Sequence, residues 1–263
     1  MRLTLFFLLS ICITLPLAAQ SIVPENTSAA NTQNAQAVLD AMVQALGGDA
    51  WITMKSQSRQ GHVAAFFQGK PSGSTTLFFE FHSWPGKDRI EYTKHRDIVQ
   101  IYLDYKGWEV TYRGKKPLPS DQTDDFLRRR DHSIETALKS WRKDPRTLLL
   151  YEGQHLAARH LADQVTLISA DNEAITILTD VQTHLPLRSS FEWRDPVYKD
   201  KNLDAEEYDD YHTVDGFPIP FTVTRFRNNE MVSQSYLDHA ACNLHLEEGI
   251  FDPDSTEHSL RKE

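Results

Sequence analysis

The stretch TDVQTHLPLRSSFEW (179–193) decides how the chain is read. A polar corner, Thr179 to His184, feeds a Leu-Pro step. Beyond it Leu187, Ser189, Phe191 and Trp193 fall on one side, and Arg188, Ser190, Glu192 and Arg194 on the other. A period of two marks a strand with one covered face. YHTVDGFPIPFTVTRF (211–226) repeats the plan: an Asp-containing corner, a proline, then a strand. Pro186 and Pro218 sit at strand starts, where a missing N–H costs least. Two such strands are either ordinary sheet core or the wall of a cavity.

Strand signals spread outward from both stretches. After the middle of the chain they cover 163–170, 173–179, 186–194, 205–214, 218–227 and 230–238; before it, 59–68, 75–82, 88–93, 97–104 and 107–112. The breaks carry turn chemistry: Gly69-Lys-Pro-Ser-Gly, Pro85-Gly-Lys-Asp, Lys106-Gly107, and Asn228-Asn229, where asparagine tolerates positive φ. Short corners between some eleven strands make an antiparallel meander rather than a βαβ series. Leu77, Phe79 and Phe81 share a face, as do Val99, Ile101 and Leu103, and Trp108, Val110 and Tyr112. Two helical patterns stand apart. Val38, Leu39, Met42, Val43 and Leu46 form one stripe, stopped by Gly47-Gly48. Residues 121–150 space Phe126, Leu127, Ile134, Leu138 and Trp141 helically, with Pro145 separating a final turn. The fold class is α+β: a large antiparallel sheet with a helical insertion that must cover something.

The first twenty residues, MRLTLFFLLSICITLPLAAQ, have the Arg2 n-region, apolar run and small-residue site of a secretory signal. Ile11 before Cys12 argues against lipidation. The expected organisation is a signal at 1–20, a flexible leader at 21–33, one domain at 34–254 and a polar tail at 255–263. Cleavage leaves Cys242 alone, so the fold has no internal disulfide. Without Arg2 the balance is 27 basic against 37 acidic residues, a charge of −10, which excludes a nucleic-acid partner and electrostatic docking on anionic lipid. No second long apolar run predicts a membrane span. The expected state is a soluble periplasmic monomer.

Nucleophile-elbow, P-loop and dinucleotide motifs are absent, and Cys242 has no evident partner for thiol chemistry. His155 and His160, and His239 and His245, are spaced badly for a shared ion. DAEEYDD (204–210) matches no calcium loop and reads as a solvated strand edge or loop. No cofactor or metal is expected. What remains is the aromatic inventory of the strands: sheet core, or the lining of an incompletely filled concave face. The candidate lining is Leu77, Phe79, Phe81, Ile90, Tyr92, Val99, Ile101, Trp108, Val110, Leu138, Trp141, Leu187, Phe191, Trp193 and Phe221. Burying ~10–12 methylenes there would gain roughly 8–10 kcal/mol before ordering costs. Such binding needs area and no catalytic group.

The order of elements resembles the LolA/LolB-type lipoprotein-carrier superfamily, especially its longer bacterial LolA-like relatives, over about residues 35–253. The pieces that carry the resemblance are Leu46-Gly47-Gly48, Lys87-Asp-Arg-Ile-Glu-Tyr, Gly107-Trp108, Asp180-x-x-Thr-x-Leu-Pro-x-Arg, Val214-Asp-Gly-x-x-x-Pro220 and the Asn243…Phe251-Asp-Pro ending. It implies an open half-barrel closed by helices over an apolar cavity. It also implies a non-enzymatic role: ferrying lipid or lipoprotein acyl chains, or sensing mislocalised lipoproteins through envelope partners. Arg89 is the match for an arginine near the carriers' cavity mouth. Two alternatives stay open: a sensor or scaffold that binds a protein with its cavity collapsed, and an unrecognised hydrolase.

Overall fold

The structure is a computed structural model that describes residues 29–157 and 159–260. The expected signal peptide, the Cys12 site and most of the leader lie outside those residues. Helices α1 (Ala29–Leu46) and α2 (Gly48–Thr53) precede β1 (Ser56–Phe67), β2 (Lys70–Pro71), β3 (Thr76–Ser83), β4 (Lys87–Tyr92), β5 (Ile98–Leu103), β6 (Lys106–Thr111) and β7 (Gly114–Pro117). Then come α3 (Ser120–Asp131), α4 (Ile134–Lys139) and a 3-10 turn, Trp141–Lys143. The second half holds β8 (Leu148–Ala157), β9 (His160–Ile168), β10 (Ala174–Asp180), β11 (Pro186–Arg194), β12 (Lys201–Val214), β13 (Phe217–Arg227) and β14 (Glu230–Cys242). A 3-10 turn, Glu248–Phe251, and α5 (Pro253–Leu260) finish it. Among the described residues no helix is long and apolar enough to cross a membrane.

All fourteen strands belong to one open antiparallel sheet. Three more strands appear than the eleven expected. β2 and β7, at two and four residues, are too short to show a period. β8 opens on Leu148-Leu-Leu-Tyr151, a continuous apolar run that periodicity cannot tell from a helical turn. At the C-terminal end, part of the expected polar tail is helix α5.

The order of strands explains the helices. β1 sits inside the sheet, between β3 and β14. The chain runs from β1 through β3 to the β7 edge, then resumes at the opposite edge, β8, and returns through β9–β13 to β14 beside β1. The segment joining the two edges is α3–α4, so it has to cross a face of the sheet. In crossing, α3 touches both halves. Phe126 stacks on Tyr102 of β5 with centroids 3.7 Å apart, and the Arg128 guanidinium lies 3.6 Å over Trp193 of β11. Flat, β5 and β11 would be about 34 Å apart at seven strand spacings, whereas a 12-residue helix is about 18 Å long. The sheet therefore curls around α3. Gly107 of β6 makes the approach possible: a Cβ there would lie 2.6 Å from Thr123 Oγ1 on α3. At Gly61, where β1 bulges against β14, a Cβ would lie 2.1 Å from the Tyr236 carbonyl oxygen.

Two cores result. The larger packs the α1 stripe, with Leu39 and Met42 fully buried, on Leu149, Val165, Leu167, Ile175, Ile177, Phe217 and Ile219. The smaller holds Val99, Ile101 and Val110, with Leu103 and Leu260 of α5 against them. It lies on the opposite face of the sheet. Val99 and Ile101 alternate with Tyr102 and face α5, whereas Tyr102 faces α3.

Candidate functional site

Each of the two corners is held by its aspartate, in a different way. Asp180 Oδ1 accepts from the backbone N–H groups of Gln182 (2.8 Å) and Thr183 (2.7 Å), while Nδ1 of His160 lies 2.8 Å from its Oδ2. In the second corner Asp215 and Gly216 take positive φ, and Asp215 Oδ2 accepts from the N–H of Cys242 at 2.9 Å, tying the β12–β13 turn to the end of β14. Both corners thus fix a proline at the start of a strand. Pro186 and Pro218 line one partly open cavity, of about 210 Å³, between the curled sheet and α2–α4.

That cavity has two characters along its length. Near the corners its wall is Leu46, Trp51, Met54, Ile134, Pro218 and Ile219. Tyr211 joins them and donates to the Pro186 carbonyl at 2.8 Å. Further up the strands the wall is ionic: Arg59 of β1, Glu80 of β3, Arg129 of α3, Glu206 and Tyr208 of β12, and Arg225 of β13. Ile219 and Arg225 are six residues apart on β13, about 20 Å. The cavity is narrow, long and amphipathic.

The charges are tightly placed. Arg225 Nε donates to Glu206 Oε1 at 2.9 Å, and its side chain, which lines the cavity, is 45 % accessible. Burial by itself would lift the Glu206 carboxyl; the guanidiniums of Arg225 and Arg129 outweigh it and hold the group below the usual carboxylate range. Burial and the Glu206 charge push the Tyr208 phenol well up, so it stays neutral and donates to Glu206 at 3.1 Å while Ser189 Oγ lies 2.7 Å away. Burial and the nearby Arg225 pull Arg129 down, against the support of Asp125.

A second ionic cluster, whose His82, Asp88, Arg130 and Glu135 also line the cavity, fastens the helices over it. Arg130 donates to Asp88 Oδ2 (3.2 Å) and to the Gly86 carbonyl (3.1 Å). His82 stands between Asp88 (2.6 Å at Nδ1) and Glu135 of α4 (3.3 Å at Nε2). Burial disfavours its charge, but the two carboxylates prevail and raise it to about 10. Lys139 donates to Glu135 (2.6 Å) and to the Met54 carbonyl (2.7 Å), 5.1 Å over Trp51 and 5.2 Å over Trp84. On the other flank of α3 an open groove of about 910 Å³ runs along Arg128, His132, Trp141 and Trp193.

The structure separates the expected lining residues. Phe191 meets α3, stacking on His132 with centroids 4.3 Å apart, and Trp193 lies under Arg128. Trp141 and Trp193 line the open groove. Ile90 and Tyr92 lie on the sheet face that α3 covers, opposite Glu80 and Phe78 of β3. Leu138 is fully buried in the larger core, Phe221 packs at its border, and Leu187 is half-buried beyond Pro186. Leu77, Phe79, Phe81, Val99, Ile101, Trp108 and Val110 are on the opposite face. Val99, Ile101 and Val110 pack under α5, and Arg96 lies 4.6 Å over Phe79 and 5.7 Å over Phe81. None of the fifteen wall positions named from the sequence borders this cavity. Arg89 is likewise on the outer face. It donates to the Ile250 carbonyl (2.7 Å), to Thr256 (2.6 Å) and to Glu91 (2.5 Å), fastening α5 and the turn before it.

The residues that do line the cavity were largely missed. Arg59, Glu80, Arg129, Glu206 and Arg225 are charged, and an apolar pattern passes over them. DAEEYDD, read as a solvated strand edge or loop, lies within β12, the strand expected at 205–214, and turns Glu206 to the cavity. A usable signal existed: Glu80 alternates with Phe79 and Phe81, and Glu206 with Glu207, so a charge of one face stands opposite a large side chain or second charge on the other. Among the described residues no group of three or more His, Cys, Asp or Glu is arranged to hold a metal ion.

No family model matches the chain, and no curated protein matches it in sequence. Solved structures do match its shape. A DUF1329 family protein from Desulfovibrio piger superposes with a TM-score of 0.60 at 11% identity, over 86% of this chain and 99% of that one. A domain assigned to outer membrane lipoprotein sorting, from Vibrio parahaemolyticus, gives 0.56 at 10% identity, over 86% and 100%. A LolA superfamily protein from Nitrosomonas europaea gives 0.52 at 11% identity, over 84% and 98%. Similarity at such identities is similarity of fold, and the fold of this chain is LolA-like: an open antiparallel sheet curled around crossing helices.

Proposed function

We propose that the protein is a non-catalytic periplasmic carrier or binder of a lipid or of lipoprotein acyl chains. The observation that carries this reading is the amphipathic cavity between α2–α4 and the sheet, whose wall is apolar at Leu46, Trp51, Met54 and Ile219 and ionic at Arg59, Arg129 and Arg225, with the His82, Asp88, Arg130 and Glu135 cluster between helices and sheet also bordering it. Its shape suits a ligand with a chain and a head. At about 210 Å³ it is below the ~300 Å³ at which small-molecule sites begin. A full acyl chain therefore requires α3–α4 to move outward. The likeness of fold to a domain assigned to lipoprotein sorting supports the role. Arg130, Glu135 and Lys139 would hold the closed state, and a ligand would have to displace their contacts with Asp88, His82 and Met54.

The test is native mass spectrometry of protein purified from its own envelope, with displacement of a fluorescent fatty acid alongside. A lipid adduct with saturable displacement is expected. A protein free of lipid that displaces nothing, yet retains a stoichiometric protein partner in a pull-down, would replace the carrier reading with a scaffold.

A further inference from the structure

We infer that the ionic end of the cavity is an oxyanion site, in which Arg59, Arg129 and Arg225 receive a carboxylate or phosphate head. The inference rests on the carrier reading for the ligand's chain but not for its head. Three guanidiniums reach one cavity from three elements: β1, α3 and β13. Two are incompletely used. Arg59 spends Nε on Gln57 Oε1 (2.8 Å), and its Nη1 stays 3.9 Å from Glu80, with the side chain 38 % accessible. Arg225 spends Nε on Glu206. Among the described residues neither has a hydrogen-bond partner on its Nη groups, and these groups present the forked donor geometry that oxyanions accept.

The unused donors favour an anion. Four guanidiniums, of Arg59, Arg129, Arg225 and Arg227, face four carboxylates, of Glu80, Asp125, Asp204 and Glu206, while Arg128 turns to Trp193 and the open groove. That balance leaves no carboxylate hydrogen-bonded to the Nη groups of Arg59 and Arg225, whose side chains are 38 % and 45 % accessible. Arg129 is pulled down by burial and by Arg225, against the support of Asp125. A bound oxyanion would accept the unused donors and add a counter-charge beside Arg129. A neutral head would add none, and a cationic head would oppose the guanidiniums.

The experiment is titration calorimetry on the full chain with four probes, each below its micelle concentration: laurate, dodecyl phosphate, 1-dodecanol and inorganic phosphate. The expected result is that both anionic amphiphiles bind about tenfold to a hundredfold more tightly than dodecanol, as charge-assisted hydrogen bonds imply. The variant is Arg129→Gln, because Asp125 keeps Arg128 and Arg227 and the helix stays anchored. It should lower the affinity for laurate and leave that for dodecanol unchanged. Arg225→Gln combined with Glu206→Gln removes a charge pair together and should act in the same direction. Equal binding of laurate and dodecanol by the unaltered protein would overturn the oxyanion site while leaving the carrier reading standing. Binding of inorganic phosphate, lost in Arg129→Gln, with no binding of any amphiphile would do the reverse. Binding of none of the four would overturn both.

Discussion

The two halves of the sheet use the same strand pattern and turn it in opposite directions. In the second half, β8–β14, the apolar residues face inward: Val165, Leu167, Ile175, Ile177 and Ile219 meet α1. In the first half, β3–β7, the large apolar residues Leu77, Phe79, Phe81, Val99, Ile101 and Val110 face outward, and α5 and Arg96 cover part of them. The inward face of that half carries Phe78, Ile90, Tyr92 and Tyr102 under α3, with Glu80, His82 and Asp88 among them. One half has a continuous apolar core on the inside; the other divides its apolar residues between two faces and mixes charges into the inner one. The cavity lies where the two arrangements meet. An apolar alternation therefore says which residues share a face, and says nothing about which face of a curled sheet it is.

The largest effect should come from the inner core. Ile177 is fully buried between the α1 stripe and its neighbours, so Ile177→Ala should cost about 2–5 kcal/mol, toward the upper end because a helix and several strands must relax around the hole. Ile101 is equally buried, but its cover is the eight-residue helix α5, which can settle into the gap. Ile101→Ala should therefore fall toward the lower end of the same range. Urea unfolding of both variants makes the comparison. Equal losses would mean that the outer cluster is as rigid as the inner core.

An intermediate effect belongs to the charges inside the first half. His82 is held up to about 10 from an ordinary value of 6.5 against the penalty of its burial, by Asp88 and Glu135. Glu135 is held down to about 2 from 4.5, also against burial, by His82 and Lys139. The folded protein thus binds a proton on His82 that the unfolded chain releases above 6.5, so this contribution is full below 6.5 and is lost as pH rises through about 10. The Glu135 contribution is full above 4.5 and is lost as pH falls toward about 2. One proton can give a slope of at most about 1.4 kcal/mol per pH unit. His82→Gln should flatten the decline of stability between pH 6.5 and 10, measured by urea midpoints. An unchanged slope in the variant would show that other groups set it.

Much of the fold was legible. The prolines at 186 and 218, the Asn228-Asn229 turn and the α1 stripe each combine a local signal with a local structure, and such signals survive without tertiary information. The edge-to-edge crossing of α3–α4 was half-legible. Its stripe showed that the segment covers something, and Phe126 does stack on Tyr102, but that it bridges both halves follows from β1 being interior. The cavity wall was least legible. Arg59 pairs with Glu80, and Arg225 with Glu206, across strands whose register the sequence leaves free. In the triplet Arg128-Arg129-Arg130 each member has its own destination, which no helical pattern announces: Trp193, the cavity, and Asp88.

The smallest effect tests whether the outer aromatics are core or skin. Arg96 lies over Phe79 and Phe81, pairs with the buried Glu91, and is itself 46 % accessible. A cation over an aromatic ring at an accessible site is worth about 0.5–1 kcal/mol, and an accessible ion pair adds little. Glu91 also keeps its bond from Arg89 when Arg96 is removed. Arg96→Ala should therefore cost no more than about 1 kcal/mol, well below Ile101→Ala a strand away. If urea unfolding instead gives the two variants equal losses, the outer stripe from Phe79 to Val110 is a continuous second core with Arg96 as its cover. The contrast between the halves would then be one of direction alone, with no difference in strength.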